Sequence, residues 1–250
     1  MQKDIWITGA TGAIGSALAK QLAMNGHRLI LSAREAARLE TLQNTLSGEH
    51  LVLPLDVNQP IAVENAISQM QSHGFNPSGL CHAVGSTLIK PLHLTSLDDC
   101  KNLFEQNYFS AFSVLKAFVV HQLKQKQSAA AVLIGSLVAS AGFPNHEAIA
   151  SAKAAVASLG QTTAATYADK GIRVNVLMPG LTQSALSARL TGTPEATARN
   201  AKMNPMGMIG EGIDTAALAA FLLGEEARWI TGQVIGVDGG HAVIHPLPKA

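Results

Sequence analysis

Cysteine is nearly absent from this sequence, and so is any excess of charge of one sign. Two cysteines, Cys81 and Cys100, are too few for a disulfide framework and suit a reducing compartment. Lys and Arg number 18 against 17 Asp and Glu, a formal net charge of +1. With no basic run, that balance gives no electrostatic reason to expect nucleic acid or a membrane surface as a partner. Long apolar runs are missing too. The longest, such as Ala216 to Leu223, fall far short of the roughly 18 residues needed to span a bilayer. A first strand beginning near Ile5 leaves no room for a signal peptide. These absences lead to the expectation of a soluble, cytoplasmic protein. Charged residues make up only 14% of the chain and hydrophobic ones 47%, so the chain buries much of itself. No linker, internal repeat or low-complexity segment interrupts its 250 residues, which suit one large α/β domain.

What is present is a glycine-rich turn in a defined setting. In Ile5 to Gly15, IWITGATGAIG, an apolar run ends in Thr8 and glycines follow at 9, 12 and 15. An Ala/Leu-rich helical pattern begins at Ser16 and runs to Asn25. Strand, glycine turn and helix in that order form a dinucleotide-binding signature. The turn lets backbone approach a pyrophosphate, and the helix N-terminus offers it free N–H groups. Gly9, Thr11, Ala13, Ile14 and Gly15 are the candidate positions. The next strand, Arg28 to Ser32, ends in Ser32, Ala33 and Arg34, with Arg38 one helical turn on. An NAD site places Asp or Glu near here for the ribose hydroxyls. A guanidinium, with no carboxylate to repel it, instead suits a 2′-phosphate. NADP(H) is therefore expected in preference to NAD(H). The plainer alternative is that Arg34 opens a solvated helix, REAARLETL.

Strand and helix go on alternating. His50 to Leu55 reads as a third strand followed by Asp56 and Val57, where the carboxylate either meets an adenine amino group or caps the helix expected over Pro60 to His73. Gly79 to Val84 is a fourth strand, ending at Val84 and Gly85. One helix of about seven turns is expected over Leu97 to Lys126, with Leu103, Phe104, Tyr108, Ala111, Phe112, Leu115 and Phe118 on its apolar face. Asn107 lies among them, either as a site residue or as a core amide that pins backbone. Ala129 to Ser136 is a fifth strand, His146 to Ala168 an Ala/Ser-rich helix carrying Lys153, and Ile172 to Met178 a sixth strand that runs into Pro179, Gly180 and Thr182. Residues 181 to 212, with Met203, Met206 and Met208, read as a mobile substrate lid or as a plain loop over the core. Asp214 to Leu223 is the last helix and Gln233 to Val237 the last strand. The pattern predicts a single Rossmann-type doubly wound parallel sheet of about seven strands with helices on both faces.

Read together, these residues resemble the short-chain dehydrogenase/reductase family over nearly the whole chain. Thr8-Gly9 with Ala13 and Gly15 is similar to the family's TGxxxGxG turn. Asn107 matches its helix-four asparagine, Ser136 its serine after strand five, and Asn175 with Pro179-Gly180 its N…PG segment. Ile230 to Gly240, ITGQVIGVDGG, is close to its C-terminal signature. The resemblance implies hydride transfer between NAD(P) and a carbonyl or alcohol of a small-molecule substrate, usually in a homotetramer; a dimer is the other assembly considered. Two departures stand out. The family's NNAG motif is His82-Ala83-Val84-Gly85 here, and His82 is placed to face the nicotinamide or to contribute backbone only. Its YxxxK motif is Ile149-Ala150-Ser151-Ala152-Lys153, so a hydrocarbon stands where the family has its proton-donating phenol.

The resemblance assigns Asn107, Ser136 and Lys153 to the catalytic site and also gives Lys153 the nicotinamide ribose. A positioned acid/base is worth roughly 10²–10⁴ in rate, so its loss would cripple the usual reaction without abolishing cofactor binding. His146, seven residues before Lys153, is a surrogate donor if the helix already includes it, since two turns bring both to one face. The related enoyl-thioester reductases carry a tyrosine at that separation. Otherwise Asn145 caps the helix and His146 decorates its first turn. Tyr108 and Tyr167 read as packing residues, and His241 and His245 as parts of a solvated tail or of a contact with a neighbouring subunit. Two functions follow: an oxidoreductase with an atypical site acting on a carbonyl, alcohol or conjugated carbonyl, or a non-catalytic NADP(H)-binding protein.

Overall fold

Short aliphatic runs that must be buried on both faces can only be satisfied inside a parallel sheet covered by helices. The computed structural model, which describes residues 2–244, builds that arrangement. In chain order β1 (Asp4–Thr8) leads through α1 (Ala13–Met24) to β2 (Arg28–Ser32), then α2 (Ala36–Gln43), β3 (His50–Val52) and α3 (Pro60–Ser72). Next come β4 (Gly79–His82), α4 (Leu97–Phe104) and α5 (Ser110–Gln125), then β5 (Ala129–Ile134), α6 (Glu147–Tyr167) and β6 (Ile172–Pro179). Short helices α7 (Ala188–Thr191) and α8 (Pro194–Ala201) precede α9 (Gly212–Leu223) and β7 (Val234–Val237). The seven strands lie in the order β3-β2-β1-β4-β5-β6-β7, all parallel. The chain reverses direction across the sheet between β3 and β4, so the crevice opens where β1 and β4 pair, with Thr8 opposite His82.

Alternation along the strands divides the interior into two layers. Trp6, Ile30, Leu80, Leu133 and Val176 pack under α3, α5 and α6, while Ile5, Ile7, Leu29, Leu31 and Val132 pack under α1 and α9. The one indole buried in this interior is satisfied, because Trp6 Nε1 donates to Ser32 Oγ at 3.0 Å. Most boundaries fall within two residues of expectation. β3 is formally short, yet Leu53 and Leu55 still donate to Leu31 and Ala33 at 2.9 Å, carrying the ladder to the expected end.

The long helix is not the single α-helix expected. Residues Glu105–Phe109 form a π turn between α4 and α5. Two side chains there bond backbone carbonyls one turn upstream. Asn107 Nδ2 donates to the Leu103 carbonyl at 2.8 Å, and Ser110 Oγ to that of Gln106 at 2.9 Å. The extra residue also rotates the faces. Leu103, Ala111, Leu115 and Phe118 are buried as expected, but Phe112 is 45% exposed, at the end of an outer row with Phe104 and Tyr108. α6 starts at Glu147, one residue later than expected, with His146 as its N-cap position.

Segment 181–212 is held at its base, where Gln183 N donates to the Gly210 carbonyl at 2.8 Å and Gly210 N to Leu181 at 3.0 Å. Its methionines point outward: Met203, Met206 and Met208 are all exposed. In the tail His241 packs edge-on to Phe143 of the same chain; His245 lies outside the described residues. Among the described residues no helix is long and apolar enough to cross a membrane.

Candidate active site

The glycine turn is built for close approach. Gly9 has φ +73°, and a Cβ there would stand 2.6 Å from the Ala83 carbonyl oxygen, so the turn lies directly on the end of β4. A Cβ on Gly15 would fall inside contact with the Gly9 carbonyl, which draws α1 tightly onto the turn. Gly12 is the N-cap of α1. It brings no capping side chain, and the first turn has no acidic residue, so the N–H groups of Ala13 and Ile14 keep their capacity for an external anion. Thr11 turns its carbonyl to Arg38, whose Nη2 donates to it at 3.2 Å.

At the end of β2 Arg34 is exposed and has no hydrogen-bond or ion-pair partner among the described residues. The carboxylate next to it, Glu35, pairs with Arg38 at 3.4 Å, so the acid nearest the crevice edge already has a cation. Asp56 is half-buried and accepts from Asn58 N at 3.0 Å through Oδ1; that bond is a local turn at the start of α3, and Oδ2 has no partner among the described residues. Asp56 does not cap α3, whose N-cap position is Gln59 and which has no side-chain cap bond, so of the two alternatives only the adenine contact stays open. Val57 beside it is buried.

At the other end of the crevice Gly85 gathers the polar residues. A Cβ there would stand 2.9 Å from Asn107 Oδ1 and 3.0 Å from Lys153 Nζ. Asn107 is fully used: besides Leu103, its Nδ2 donates to Ser86 Oγ at 3.1 Å, and its Oδ1 accepts from Ser86 N at 3.2 Å. Lys153 is 6% exposed and donates to the Ile134 carbonyl at 3.0 Å, tying α6 to the end of β5. Burial pushes its amine down to about 8, and no carboxylate pairs with it among the described residues. Ser136, two residues beyond Ile134, receives one weak bond from Val138 N at 3.4 Å, and its hydroxyl hydrogen has no acceptor among the described residues. Pro179 and Gly180 close the third side, with Gly180 N donating to Val237 at 3.0 Å. Val84 is half-buried beside Gly85, and Thr182 turns its hydroxyl onto the Gly180 carbonyl. Gly180 and Thr182 border a cavity of about 280 Å³ under Met206 and Met208.

Two histidines leave their proposed side-chain roles unfilled: His146 does not share a face with Lys153, and of the two alternatives for His82 the backbone-only one stands. His146 lies outside α6 because Asn145 before it takes φ +65°, which ends any helical path. The same-face relation to Lys153 therefore does not hold. Its Nδ1 lies 2.7 Å from the Pro144 carbonyl, which can only accept, so the neutral ring offers a bare Nε2. Asn145 does not cap the helix. His82 is buried and turned away from the crevice, bonded to Thr8 Oγ1 at 2.8 Å and Ser110 Oγ at 3.3 Å. Ile149 is 3% exposed and stands one turn before Lys153. Tyr108 sits in the outer aromatic row and Tyr167 against the core, so neither phenol serves the crevice.

The profile of a family described as enoyl-(acyl carrier protein) reductase matches residues 9–242. The chain belongs to the short-chain dehydrogenase/reductase family. Among its relatives, 3beta-hydroxysteroid dehydrogenase 1 of Eggerthella lenta is 28% identical over 95% of this chain and 93% of its own. Human 3-oxoacyl-[acyl-carrier-protein] reductase is 29% identical over 98% and 100%. ElxO, solved with NADP bound and, as a tyrosine-to-phenylalanine variant, with NADPH bound, is 26% identical. It superposes with a TM-score of 0.89 over 96% of this chain and 99% of that one.

As a short-chain dehydrogenase/reductase, the chain keeps a crevice whose two ends fit the two ends of a dinucleotide. The glycine cradle and uncapped helix suit a pyrophosphate, and the Lys153–Asn107–Gly85 cluster suits a ribose and an amide ring. Sequence reasoning missed Ser86 as the partner of Asn107, Ser110 as the partner of His82, and the reach of Arg38 to Thr11. Only Arg38 left a signal, one turn after Arg34. Among the described residues no group of three His, Cys, Asp or Glu side chains is placed to hold a metal.

Proposed function

We propose that this short-chain dehydrogenase/reductase is an NADP(H)-dependent oxidoreductase with an atypical active site, acting on a small carbonyl, alcohol or conjugated carbonyl compound. The observation that carries the reading is Arg34: an exposed guanidinium without a partner among the described residues, at the end of β2 beside an uncapped helix N-terminus. A 2′-phosphate there would receive a charge-assisted fork, and the only nearby acid, Glu35, is already paired with Arg38. Bound NADPH supplies the hydride. Ala13 and Ile14 N–H groups would hold phosphate, Lys153 would hold the nicotinamide ribose, and Ser136 would offer its free hydroxyl hydrogen to the substrate oxygen. Ile149 can neither give nor take a proton, so the protein's contribution to protonation is confined to Ser136 and Lys153, with water as the ultimate source.

A second reading, a non-catalytic NADP(H)-binding protein, is favoured by one observation: Ile149 is a buried hydrocarbon in the position of the family's phenol. The ElxO variant is relevant to both readings, since NADPH is held there after a tyrosine has become phenylalanine. We place the protein in the cytoplasm, in keeping with two free cysteines, Cys81 and Cys100, and as a homo-oligomer with a small-molecule substrate and neither nucleic acid nor membrane as partner.

Fluorescence titration with NADPH and NADH, followed by assays of wild type and Ile149→Tyr on ketones and enones, tests this. NADPH is expected to bind at least about ten-fold tighter than NADH, with Arg34→Ala removing the difference. Ile149→Tyr is expected to raise carbonyl turnover by about 10²–10⁴ over a measurable wild-type rate. Turnover confined to the Tyr variant selects the non-catalytic reading, and equal or preferred binding of NADH defeats the NADP(H) assignment.

A further inference from the structure

His82 occupies the switch point of the sheet and contacts neither the glycine turn's anion face nor the Lys153 cluster directly through a hydrogen bond. Its bonds instead join the two. Ser110 Oγ donates to the Gln106 carbonyl at 2.9 Å, so toward the ring it can only accept, and His82 Nε2 must carry the hydrogen. Nδ1 is then bare and accepts from Thr8 Oγ1 at 2.8 Å. The order Thr8 to His82 to Ser110 to Gln106 is thus fixed in direction, with one tautomer. Burial, with a contribution from the Lys153 ammonium, pushes the imidazole down to about 3, which favours the neutral ring.

Each end of this chain of bonds sits one residue from the site. Thr8 precedes Gly9, whose turn rests on the Ala83 and Val84 backbone. Gln106 precedes Asn107 inside the π turn, and Asn107 faces Lys153 across Gly85. Gln106 lies inside the π turn, and its carbonyl accepts from Ser110, whose hydroxyl is in turn bonded to His82. We infer that His82 is a positioning residue: through Ser110 and Gln106 it sets the π turn that carries Asn107, and so the place of Asn107 relative to the glycine turn that receives the phosphates. This rests on the dinucleotide-binding reading and adds a cause for the spacing between its two ends.

The test compares NADPH with 2′,5′-ADP, which occupies the phosphate end alone. In His82→Phe, which keeps bulk and loses both bonds, NADPH binding is expected to weaken about ten-fold while 2′,5′-ADP stays within about two-fold. Ser110→Ala, which leaves β4 untouched, is expected to reproduce that split, and His82→Asn, which retains one acceptor and one donor, to recover most of it. In ¹⁵N-histidine NMR of the wild type, His82 is expected as the Nε2–H tautomer without titration between pH 5 and 9. Equal loss of both ligands, no loss of either in Ser110→Ala, or a ring that titrates or carries Nδ1–H overturns the inference. Wild type that binds neither ligand defeats the nucleotide reading instead, and the NMR result then decides the role of His82 separately.

Discussion

Lys153 shows most directly what this active site costs its own fold. An ammonium has been taken out of water with a single backbone carbonyl as partner, and burial lowers its pKa from 10.5 to about 8. The sign follows from proton counting. Below pH 8 both folded and unfolded chains hold the proton and the folded state bears the full penalty. Between about 8 and 10.5 the unfolded chain binds more protons, so the penalty is relieved as pH rises. Lys153→Met is therefore expected to be more stable than wild type in urea unfolding at pH 7. Its advantage should shrink by about 1.4 kcal/mol per pH unit above 8. A difference that stays constant across that window would mean that folded and unfolded chains hold the same protons there, so that burial does not lower the amine. Saturating NADPH should reverse the ranking, because only the lysine then gains partners.

Among the elements, the turn from β1 into α1 and the π turn before α5 carry the site, and they differ in how readable they are. In the first, Gly9 and Gly12 make unequal demands. At Gly9 a Cβ meets backbone at 2.6 Å with φ +73°, whereas at Gly12 it meets only the Gly9 carbonyl at 3.3 Å, with φ −79°. A left-handed conformation costs an L-residue roughly 1–2 kcal/mol before the clash is added. Gly9→Ala should thus lose more than about 2 kcal/mol and all NADPH binding, while Gly12→Ala should stay within about 1 kcal/mol of wild type, as judged by denaturation and fluorescence titration. Equal effects would contradict the geometry. The turn was legible because strand, glycines and helix are contiguous, and burial of the strands on both faces made the sheet legible too. The π turn was not: apolar spacing over 97–126 fits an unbroken helix, and one wide turn leaves no mark of its own in that spacing. His82 was opaque for another reason, since its partners Thr8 and Ser110 are 74 and 28 residues away. His146 was misjudged by one residue, and the cause was readable: Asn145 is a residue type that tolerates positive φ.

For the molecule as a whole, the rotation introduced by the π turn has an outward consequence. It leaves Phe109 at the end of the π turn and Phe112, Val120 and Leu123 of α5 on one face, 46%, 45%, 42% and 39% exposed. Their spacing of three, eight and three residues keeps them on a single helical face, with Lys116 between them. Two apolar pairs flanking a lysine on one face suit a self-complementary two-fold contact in which α5 meets its own copy. α6 offers an adjacent surface of Ser151, Ala154 and Ser158, small enough for close helix approach. None of these four residues lines the crevice between the glycine turn and Lys153. Association and nucleotide binding should therefore separate. In sedimentation velocity, Phe112→Glu combined with Leu123→Glu should shift the protein to monomer mass, while NADPH affinity stays within about three-fold, since no crevice residue is touched. Wild type that sediments as a monomer at tens of micromolar would show that this stripe is merely exposed, and joint loss of both properties would mean that the crevice borrows its order from the neighbouring copy.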